Sequence, residues 1–288
     1  MILNFGSINL DLVYRVAHLP TAGETLHSSS FERFLGGKGI NQSIAVAQSG
    51  AQVRHIGCVG ADGGWVCDEI ENFGVRLDDI ATVDLPTGHA IICVDDAGEN
   101  QIVLASGANQ GFSHTQIEAA LGSADPGDWV ILQNETNLVA DIAKAAKARG
   151  LMVCYSAAPF DAMAVADLLP YLDLLAVNEG EAAALEAAQG KPATKLGVPH
   201  VLITRGSDGA VFHSDGTVYE QNSFPVTPVD TTGAGDTFLG AFMARFIETD
   251  PATALRFAAA CAAMQVTGAG AAGAIPAKAD VEAFLKDA

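Results

Sequence analysis

The stretch DTTGAGDTFLGAF, residues 230–242, joins a glycine-containing turn to an aspartate at the start of an apolar helical pattern. At a helix N-terminus, the successive backbone N–H groups of Gly233, Ala234 and Gly235 form a cradle for an anion. The helix dipole favours an ionised Asp236, which can take a proton from a hydroxyl group aligned on a phosphoryl group. Phosphoryl transfer needs such a base and such stabilisation of negative charge. Ordinary helices also begin with acids and glycines, so this motif alone does not establish the chemistry.

Other polar side chains follow apolar, strand-like runs. Asn9 and Asp11 come soon after the run MILNF and share a face if the chain stays extended. Glu135 follows WVILQ, while Asn178 and Glu181 follow DLLAV at the start of a helical pattern. Each of these sites alone is also compatible with a turn or a helix cap. Ligands of α/β sheets bind at the carboxyl ends of the strands, so the repetition favours a binding site there.

The sequence contains three glycine-rich segments, and we expect a different role for each of them. In GGKG, residues 36–39, the glycines let a ligand approach the backbone, and Lys38 and Asn41 offer donors to hydroxyl groups. The spacing is not that of a Walker A loop, and a flexible entry to a helix remains an equal alternative. LITRGSDGAV adds a glycine-rich turn after a strand. GAGAAG, residues 268–273, matches a dinucleotide fingerprint by letters, but it follows a helical run, so we predict no Rossmann site.

Strand-like runs alternate with helical patterns along most of the 288 residues. This alternation predicts an α/β fold with a doubly wound, mostly parallel sheet flanked by helices. The predicted strands are MILNF, VRHIG, WVILQ, LMVCY, DLLAV and HVLIT, and the predicted helices are GINQSIAVAQSG, TNLVADIAKAAKARG, GEAAALEAAQG and TFLGAFMARFIET.

Residues 10–35 and 87–106 break this alternation because they contain short alternating segments without helices. The letters DDAGEN supply a hairpin turn within the second segment. We expect both segments to pair into a small β-sheet, a discontinuous lid within a single domain spanning residues 1–288. Exposed edges of such a sheet can pair with a second copy, which predicts a homodimer through the lid.

Composition excludes several classes of partner. There are 15 Lys and Arg residues against 34 Asp and Glu, a net charge of -19, which repels nucleic acid and anionic membranes. The five cysteines form no C-x-x-C pair, which favours reduced thiols over a metal site. The first residues lack the features of a signal peptide, and the longest apolar stretch is too rich in Ala and Gly to span a membrane. We therefore expect a cytoplasmic protein that acts on small molecules.

Over essentially its whole length the chain resembles the ribokinase-like (PfkB-type) sugar kinases. GGKGINQSIAVAQSGA and DTTGAGDTFLGAF carry the resemblance, supported by GSINLDLV, LPTAGET, GADGGW, TGHAIICVDDAGEN, GAN, NEGEA and LITRGSDG in order. It implies phosphorylation of a sugar CH2OH group by ATP with Mg2+, and the motifs favour D-ribose, giving D-ribose 5-phosphate.

The resemblance also implies roles for individual residues. Asp236 matches the catalytic base, and Gly233, Ala234 and Gly235 match the anion hole. Asn178 and Glu181 match positions that organise Mg2+ and the phosphates. The matches to sugar-binding positions are Asn9, Asp11, Gly37, Lys38, Asn41 and Glu135, and those to the nucleotide-binding turn are Thr204, Arg205, Gly206, Ser207, Asp208 and Gly209.

Many members of the family also use a monovalent cation, usually K+, beside the anion hole. Its ligands would come from Asp230, Thr232 and the loop from Gln265 to Ala274, which includes Gly268 and Gly270. Gly268 and Ala274 stand where ribokinases often have Arg and Ser, which weakens the expectation of K+ activation. Two further departures are Ala259, in place of a polar residue that can meet the adenine, and a shorter segment between Glu186 and His200.

Three alternatives remain. The nearest is a kinase of the same family for a nucleoside, a ketohexose or a keto-deoxy sugar acid. A substrate carboxylate would need a cation near the lid, for which Arg15, Arg33 and Lys38 are the candidates. The second is a non-catalytic sugar-binding regulator, although the intact Asp236 and GAG argue against it. A dehydrogenase is a distant third because no fingerprint is correctly placed.

Overall fold

Nine strands form the main sheet of the computed structural model, which describes residues 1–288. The thirteen strands of the chain are β1 (Ile2–Phe5), β2 (Asn9–Arg15), β3 (Ser30–Gly36), β4 (Val53–Val59), β5 (Ile80–Thr82), β6 (Gly88–Val94), β7 (Asn100–Ala105), β8 (Trp129–Leu132), β9 (Met152–Ser156), β10 (Leu174–Asn178), β11 (His200–Thr204), β12 (Ala210–Ser214) and β13 (Thr217–Gln221). The order in the main sheet is β13-β12-β11-β10-β9-β8-β1-β4-β5. From β5 to β11 all neighbours are parallel, and β12 and β13 add an antiparallel hairpin at one edge.

Nine helices accompany the strands. They are α1 (Lys38–Gln48), α2 (Gly64–Asn72), α3 (His114–Gly122), α4 (Val139–Ala148), α5 (Ala162–Leu168), α6 (Glu179–Gln189), α7 (Ala234–Phe246), α8 (Pro251–Gln265) and α9 (Lys278–Asp287). None of them combines the length and the apolarity that crossing a membrane would require.

The central strand β1 is buried on both faces. Leu3 and Phe5 join an apolar cluster with residues of α3 to α6, whereas Ile2 joins a second cluster with residues of α7 and α8. Alternate side chains of a strand point to opposite faces, so the two clusters lie on opposite sides of the sheet. The predicted α/β class, with a mostly parallel sheet between two layers of helices, is confirmed.

A separate four-stranded sheet has the order β3-β2-β6-β7. Its strands come from the two segments predicted to lack helices, and β2 begins at Asn9, one residue before the predicted range. β2 pairs parallel with β6 and antiparallel with β3. Asn9 lies in register with Gly36 on one side and Gly88 on the other, so these three residues form the base of the small sheet.

The predicted strands and helices are all present and differ from the observed ones mainly at their ends. The helices α2, α3, α5 and α9 and the strands β5, β12 and β13 were not predicted. HVLIT coincides with β11, whereas α7 begins at Ala234, three residues before the predicted helix, because its first turn is polar. Gly268 to Gly273 follow α8 in turns and a short 3-10 segment, which agrees with the exclusion of a Rossmann site. All five cysteines are unpaired, and Cys58, Cys154 and Cys261 are buried.

Candidate active site

The turn before α7 places Asp236 in the first turn of that helix. Gly233 has a φ of 76°, and a side chain there would lie 2.7 Å from the Cβ atom of Ala271. Only glycine meets both constraints without strain. The half-buried Asp236 carboxylate accepts hydrogen bonds from Gln42 Nε2 at 2.9 Å and from Asn41 Nδ2 at 3.4 Å. Two residues of α1 therefore hold this carboxylate in place.

Burial raises the pKa of Asp236 to about 6, and the nearby charge of Glu135 acts in the same direction. Lys38 and the hydrogen bonds from Gln42 and Asn41 oppose this rise. The helix dipole favours the ionised carboxylate, but its desolvation by burial is the larger effect. A carboxylate with a pKa near 6 is ionised at neutral pH and is a stronger base than an exposed aspartate.

Two of the three amides predicted to form an anion cradle are free. The N–H groups of Gly233 and Gly235 have no acceptor within the chain, whereas Ala234 N donates to Thr231 O at 3.3 Å. Free N–H groups at the start of a helix attract anions because the helix dipole adds to their own partial charge.

Asn9 and Asp11 lie at the base of the small sheet, in the first residues of β2. A Cβ atom at Gly36 of the neighbouring strand would lie 2.1 Å from Asp11 Oδ2, so this glycine makes room for the carboxylate. Burial and the charge of Glu135 raise the pKa of Asp11 to about 6. The two carboxyl groups therefore share one electrostatic environment although they come from distant parts of the chain.

Glu135 joins the loop after β8 to the start of α1. Its Oε2 atom accepts the backbone N–H of Lys38 at 2.9 Å and the hydroxyl group of Ser7. Gly37, with a φ of 104°, lies directly before Lys38. The site residues predicted from GSINLD, GGKG and the end of β8 are thus brought together.

Asn109, in the GAN motif, had no assigned role in the sequence argument. It is 2% exposed, and its Nδ2 atom donates to Asn9 Oδ1 at 2.7 Å while its Oδ1 atom accepts from Ile8 N at 2.8 Å. These bonds fix the Asn9 side chain so that its own N–H groups remain available to a ligand.

A buried chain of amide groups leads from Asp236 into the core. Gln42 donates to Asp236, and its Oε1 atom accepts from Gln133 Nε2 at 2.8 Å. Gln133 Nε2 also donates to Asn4 Oδ1 at 2.8 Å, and Asn4 Nδ2 donates to Ser43 Oγ at 2.9 Å. Gln42, Gln133, Asn4 and Ser43 are all inaccessible to solvent. Each amide group in this series of hydrogen bonds has a donor or an acceptor as its partner. The series therefore determines that Gln42 presents its NH2 group to the carboxylate.

The buried chain ends at His55, whose Nδ1 atom lies 2.9 Å from Ser43 Oγ. Burial lowers the pKa of His55 to about 3, so the ring is neutral at physiological pH. No charged group therefore balances Asp236 from inside the core, and its ionised form depends on dipoles and on Lys38.

Replacing Gln42 by Leu tests this arrangement. Because the hydrogen bond from Gln42 lowers the pKa of Asp236, its loss raises that pKa and shifts the acid limb of the pH–activity profile to higher pH. The buried partners left unpaired should lower the free energy of unfolding by about 1–3 kcal/mol. Gln48→Leu, on the same helix but bonded only to Phe73 O, is the control and should leave the acid limb in place. An unchanged acid limb in Gln42→Leu would contradict the positioning role.

A polar cavity of about 190 Å³ lies beside Asp236. Asn178 and Glu181 lie on its wall in a capping box at the start of α6, with reciprocal hydrogen bonds of 2.8 Å between each side chain and the other's backbone N–H. One Asn178 amide group and one Glu181 oxygen remain for a ligand. The lining residues are Lys38, Ser156, Ala158, Ala176, Val177, Asn178, Glu181, Thr204, Thr231, Gly233, Ala234, Gly235 and Asp236.

A larger, mostly apolar cavity of about 540 Å³ lies next to the polar one. The two share Thr204, Thr231, Ala234 and Gly235 as a common wall. Of the predicted nucleotide-binding turn, four residues line the larger cavity, but Arg205 and Asp208 do not. Its lining is Thr204, Gly206, Ser207, Gly209, Ser223, Phe224, Pro225, Val226, Pro228, Thr231, Ala234, Gly235, Phe238, Ala259, Ala262, Ala263 and Val266.

The segment 223–228 is a large part of this cavity that the sequence argument missed. It lies between β13 and α7 without regular structure, and its two prolines and apolar residues SFPVTP are the signal that was available. Ala259 lines the same cavity, so a small apolar residue stands where a polar contact to a base was considered.

The residues expected to bind a monovalent cation lie at the end of α8 and in two neighbouring loops. Asp230 accepts from Thr232 N and from Gly270 N, both at 2.9 Å. Gln265 Nε2 donates to Thr232 O at 2.9 Å and to Gly270 O at 3.2 Å. Nowhere in the chain do three or more His, Cys, Asp or Glu side chains form a group that could hold a metal ion.

Sequence and structure comparisons show which known proteins the chain is similar to. Residues 1–278 match the profile of the family described as pfkB family carbohydrate kinase. The chain is 36% identical to a ribokinase of Haemophilus influenzae over 299 residues, which covers 98% of this chain and 97% of that protein. The structure of Arabidopsis thaliana ribokinase complexed with ribose and ATP is similar with a TM-score of 0.88 and 31% identity, covering 99% of this chain and 98% of that one.

A nucleoside kinase from Burkholderia thailandensis, in complex with inosine, is also similar in structure. Its TM-score is 0.85, and the alignment covers 100% of this chain and 98% of that one at 20% identity. At this identity the likeness shows a shared fold only.

Proposed function

The chain belongs to the pfkB family of carbohydrate kinases, and we propose that it transfers the γ-phosphoryl group of ATP to the CH2OH group of D-ribose. The product is D-ribose 5-phosphate. One observation carries the proposal: Asp236 lies beside the free amides of Gly233 and Gly235 in the polar cavity, which shares a wall with the apolar one. A base and an anion cradle thus meet where a nucleotide and a sugar would approach each other.

The shapes and linings of the two cavities suggest how ATP would bind across them. The base and its sugar would occupy the larger cavity, against Phe224 and the small side chains of α8. The phosphates would extend into the polar cavity, where the amides of Gly233 and Gly235 and the side chain of Lys38 supply donors. Asp236 would take the proton of the attacking hydroxyl group while these donors stabilise the transferring phosphoryl group.

Mg2+ fits the polar cavity as a partner of the nucleotide. Hard oxygen ligands are available from Glu181, whose carboxylate lines this cavity. Mg2+ usually keeps several waters and binds substrate phosphates with only one or two carboxylates, which agrees with the small number of acids here. When bound, it would neutralise charge on the phosphates.

The sugar would lie between the small sheet and the main sheet. Asn9, Asp11, Lys38, Asn41 and Glu135 would bind its hydroxyl groups, with Gly37 allowing close approach. Two acids facing this space favour a neutral polyol and oppose a substrate carboxylate. Of the three cations considered for a sugar acid, Arg15 is exposed, Arg33 stacks on Trp65 at 4.9 Å and Lys38 lines the polar cavity. This charge pattern supports D-ribose over a keto-deoxy sugar acid.

A panel of substrates tests the function. Pentoses, ketohexoses, nucleosides and keto-deoxy sugar acids are each incubated with ATP and Mg2+, and ADP production is measured. We expect the highest kcat/KM with D-ribose and a product phosphorylated on its CH2OH group. A higher kcat/KM with inosine or another nucleoside would overturn the ribose assignment. No turnover with any substrate, in a protein that binds sugar, would overturn the kinase assignment.

We also propose that the small sheet is a lid and that two copies dimerise through it. Its strands expose large apolar side chains: Phe31, Ile91, Ile102, Val103 and Leu104 are each 41–62% exposed. An apolar surface of this kind on a sheet edge favours pairing with another chain.

Replacing Ile102 by Asp tests the dimer. A carboxylate in the apolar contact should raise the dissociation constant by at least about 30-fold. Sedimentation velocity should then show monomer at concentrations where the wild type is dimeric. Met163→Asp, at an apolar residue of α5 that is 78% exposed, is the control and should remain dimeric. A wild type that is monomeric at micromolar concentration would contradict the proposal.

Cytoplasmic location is part of the same proposal. All five cysteines are unpaired, and three of them are buried, as expected for a protein kept in a reducing compartment.

A further inference from the structure

The side chain of Gln265 bridges the two loops beside the anion cradle. It is the last residue of α8 and is inaccessible to solvent. Its Nε2 atom lies 2.9 Å from Thr232 O and 3.2 Å from Gly270 O. One amide nitrogen thus draws together two backbone carbonyl groups that belong to loops 33 and 5 residues away in sequence.

The orientation of this amide follows from its partners. Thr232 O and Gly270 O are both acceptors, so only the NH2 end of the side chain can face them. The opposite orientation would bring three oxygen atoms together without a proton between them. Gln265 Oε1 points away and has no hydrogen-bond partner within the chain.

These same carbonyl groups belong to the residues expected to bind K+. A cation at this place would have to lie between their oxygens, where the NH2 group of Gln265 already lies, 2.9 and 3.2 Å from them. Asp230 is also engaged, since each of its carboxylate oxygens accepts a backbone N–H at 2.9 Å. Positions 268 and 274 are Gly and Ala, which add no side-chain oxygen. The residues present do not fit a bound monovalent cation.

We propose that the Gln265 amide takes the place of a monovalent cation, and that catalysis by this kinase is independent of K+. This inference rests on the proposed kinase function. The NH2 group carries partial positive charge and attracts the two carbonyl oxygens, as a cation would. Thr232 directly precedes Gly233, so the bridge from α8 fixes the start of the anion cradle. With this arrangement the protein does not need to bind an ion from solution at this place.

The wild type gives the first test. Kinase activity is measured with saturating sugar and ATP in KCl and, at the same ionic strength, in tetramethylammonium chloride, whose cation is too large to enter the loop. We expect kcat values that agree within twofold. A wild type that is active in KCl but tenfold slower in tetramethylammonium chloride would overturn the inference while leaving the kinase function intact. Absence of activity in both salts would instead count against the kinase function.

Two substitutions then test the residue itself. Gln265→Ala removes the amide and leaves space, so we expect at least a tenfold loss of kcat in tetramethylammonium chloride and substantial recovery in KCl. Gln265→Met fills the same space without a donor, so its loss should be equal in both salts. The melting temperature of Gln265→Ala should likewise be higher in KCl, a readout that does not depend on turnover.

The variants also allow contrary outcomes. Equal activity of Gln265→Ala and the wild type in tetramethylammonium chloride would show that the bridge does not matter. Activity of Gln265→Ala that is low in both salts, or a protein that folds in neither, would contradict the claim that the amide stands where a cation can bind.

Discussion

Replacing Asp236 by Asn is expected to lower kcat about a thousandfold, with a much smaller change in sugar affinity. Asparagine has the same size, and its Oδ1 atom can still accept the 2.9 Å hydrogen bond from Gln42. Only the longer 3.4 Å bond from Asn41 is lost, so the site should keep its shape. It cannot accept the proton of the attacking hydroxyl group, so only the loss of the base should remain. Turnover is measured as ADP production at saturating substrates, and sugar binding by calorimetry.

The pH dependence gives the same prediction a second readout. Since burial raises the pKa of Asp236 to about 6, the base is protonated below this pH, and kcat should fall about tenfold per pH unit. Above pH 7 the base is ionised and the profile should be flat on this side. Asp11, whose pKa is also raised to about 6, would act through sugar binding, so kcat at saturating sugar isolates Asp236.

Asp161, which caps α5 outside the site, provides the control. Asp161→Asn should keep the wild-type kcat and the same acid limb. Retention of more than a tenth of the activity in Asp236→Asn, with the acid limb still present, would show that another group takes the proton.

Replacing Lys38 by Met is expected to lower kcat/KM for ATP about a hundredfold. Lys38 is the one Lys or Arg among the residues that line the two cavities. The net charge of -19 repels an anionic nucleotide, so local donors have to overcome this field. Loss of Lys38 removes the positive charge that faces the phosphates and leaves only backbone amides.

The same substitution should move the acid limb of kcat to higher pH. The charge of Lys38 lowers the pKa of Asp236, so its removal raises that pKa. The control is Lys191→Met, because Lys191 is exposed and lies outside both cavities. A Lys38→Met variant with a normal KM for ATP and an unmoved acid limb would contradict both roles.

The main sheet could be predicted because its signals are local. A short apolar run such as HVLIT is buried on both sides of a parallel sheet and needs no knowledge of its partners. The hairpin of β12 and β13 was missed because the apolar run of β12 is only three residues long and β13 is a mostly exposed edge strand. Helix ends shifted by a few residues where polar side chains begin the helix, as at α7.

The site could be predicted in part, for a different reason. Asn9, Glu135 and Asp236 each follow an element with a clear apolar pattern, and the fold gathers the ends of these elements. Gln42 and Gln133 could not be predicted, since Gln42 lies between two other polar residues and Gln133 is the first of a polar run, so nothing in the sequence distinguishes either from its neighbours. Their role depends on partners 91 and 194 residues distant in sequence, a pairing that only tertiary structure defines.

If the small sheet closes as the proposed lid, its base, where Asn9 pairs with Gly36 and Gly88, would be the fulcrum of a lever. Arg15, at the far end of β2, lies six residues along the strand, or about 20 Å from that fulcrum. A tilt of a few degrees therefore displaces the tip by more than an ångström while Asn9 stays nearly still. The proposed lid could therefore move at its rim, where dimer contacts are proposed, while the residues proposed to bind the sugar hydroxyl groups keep a fixed geometry.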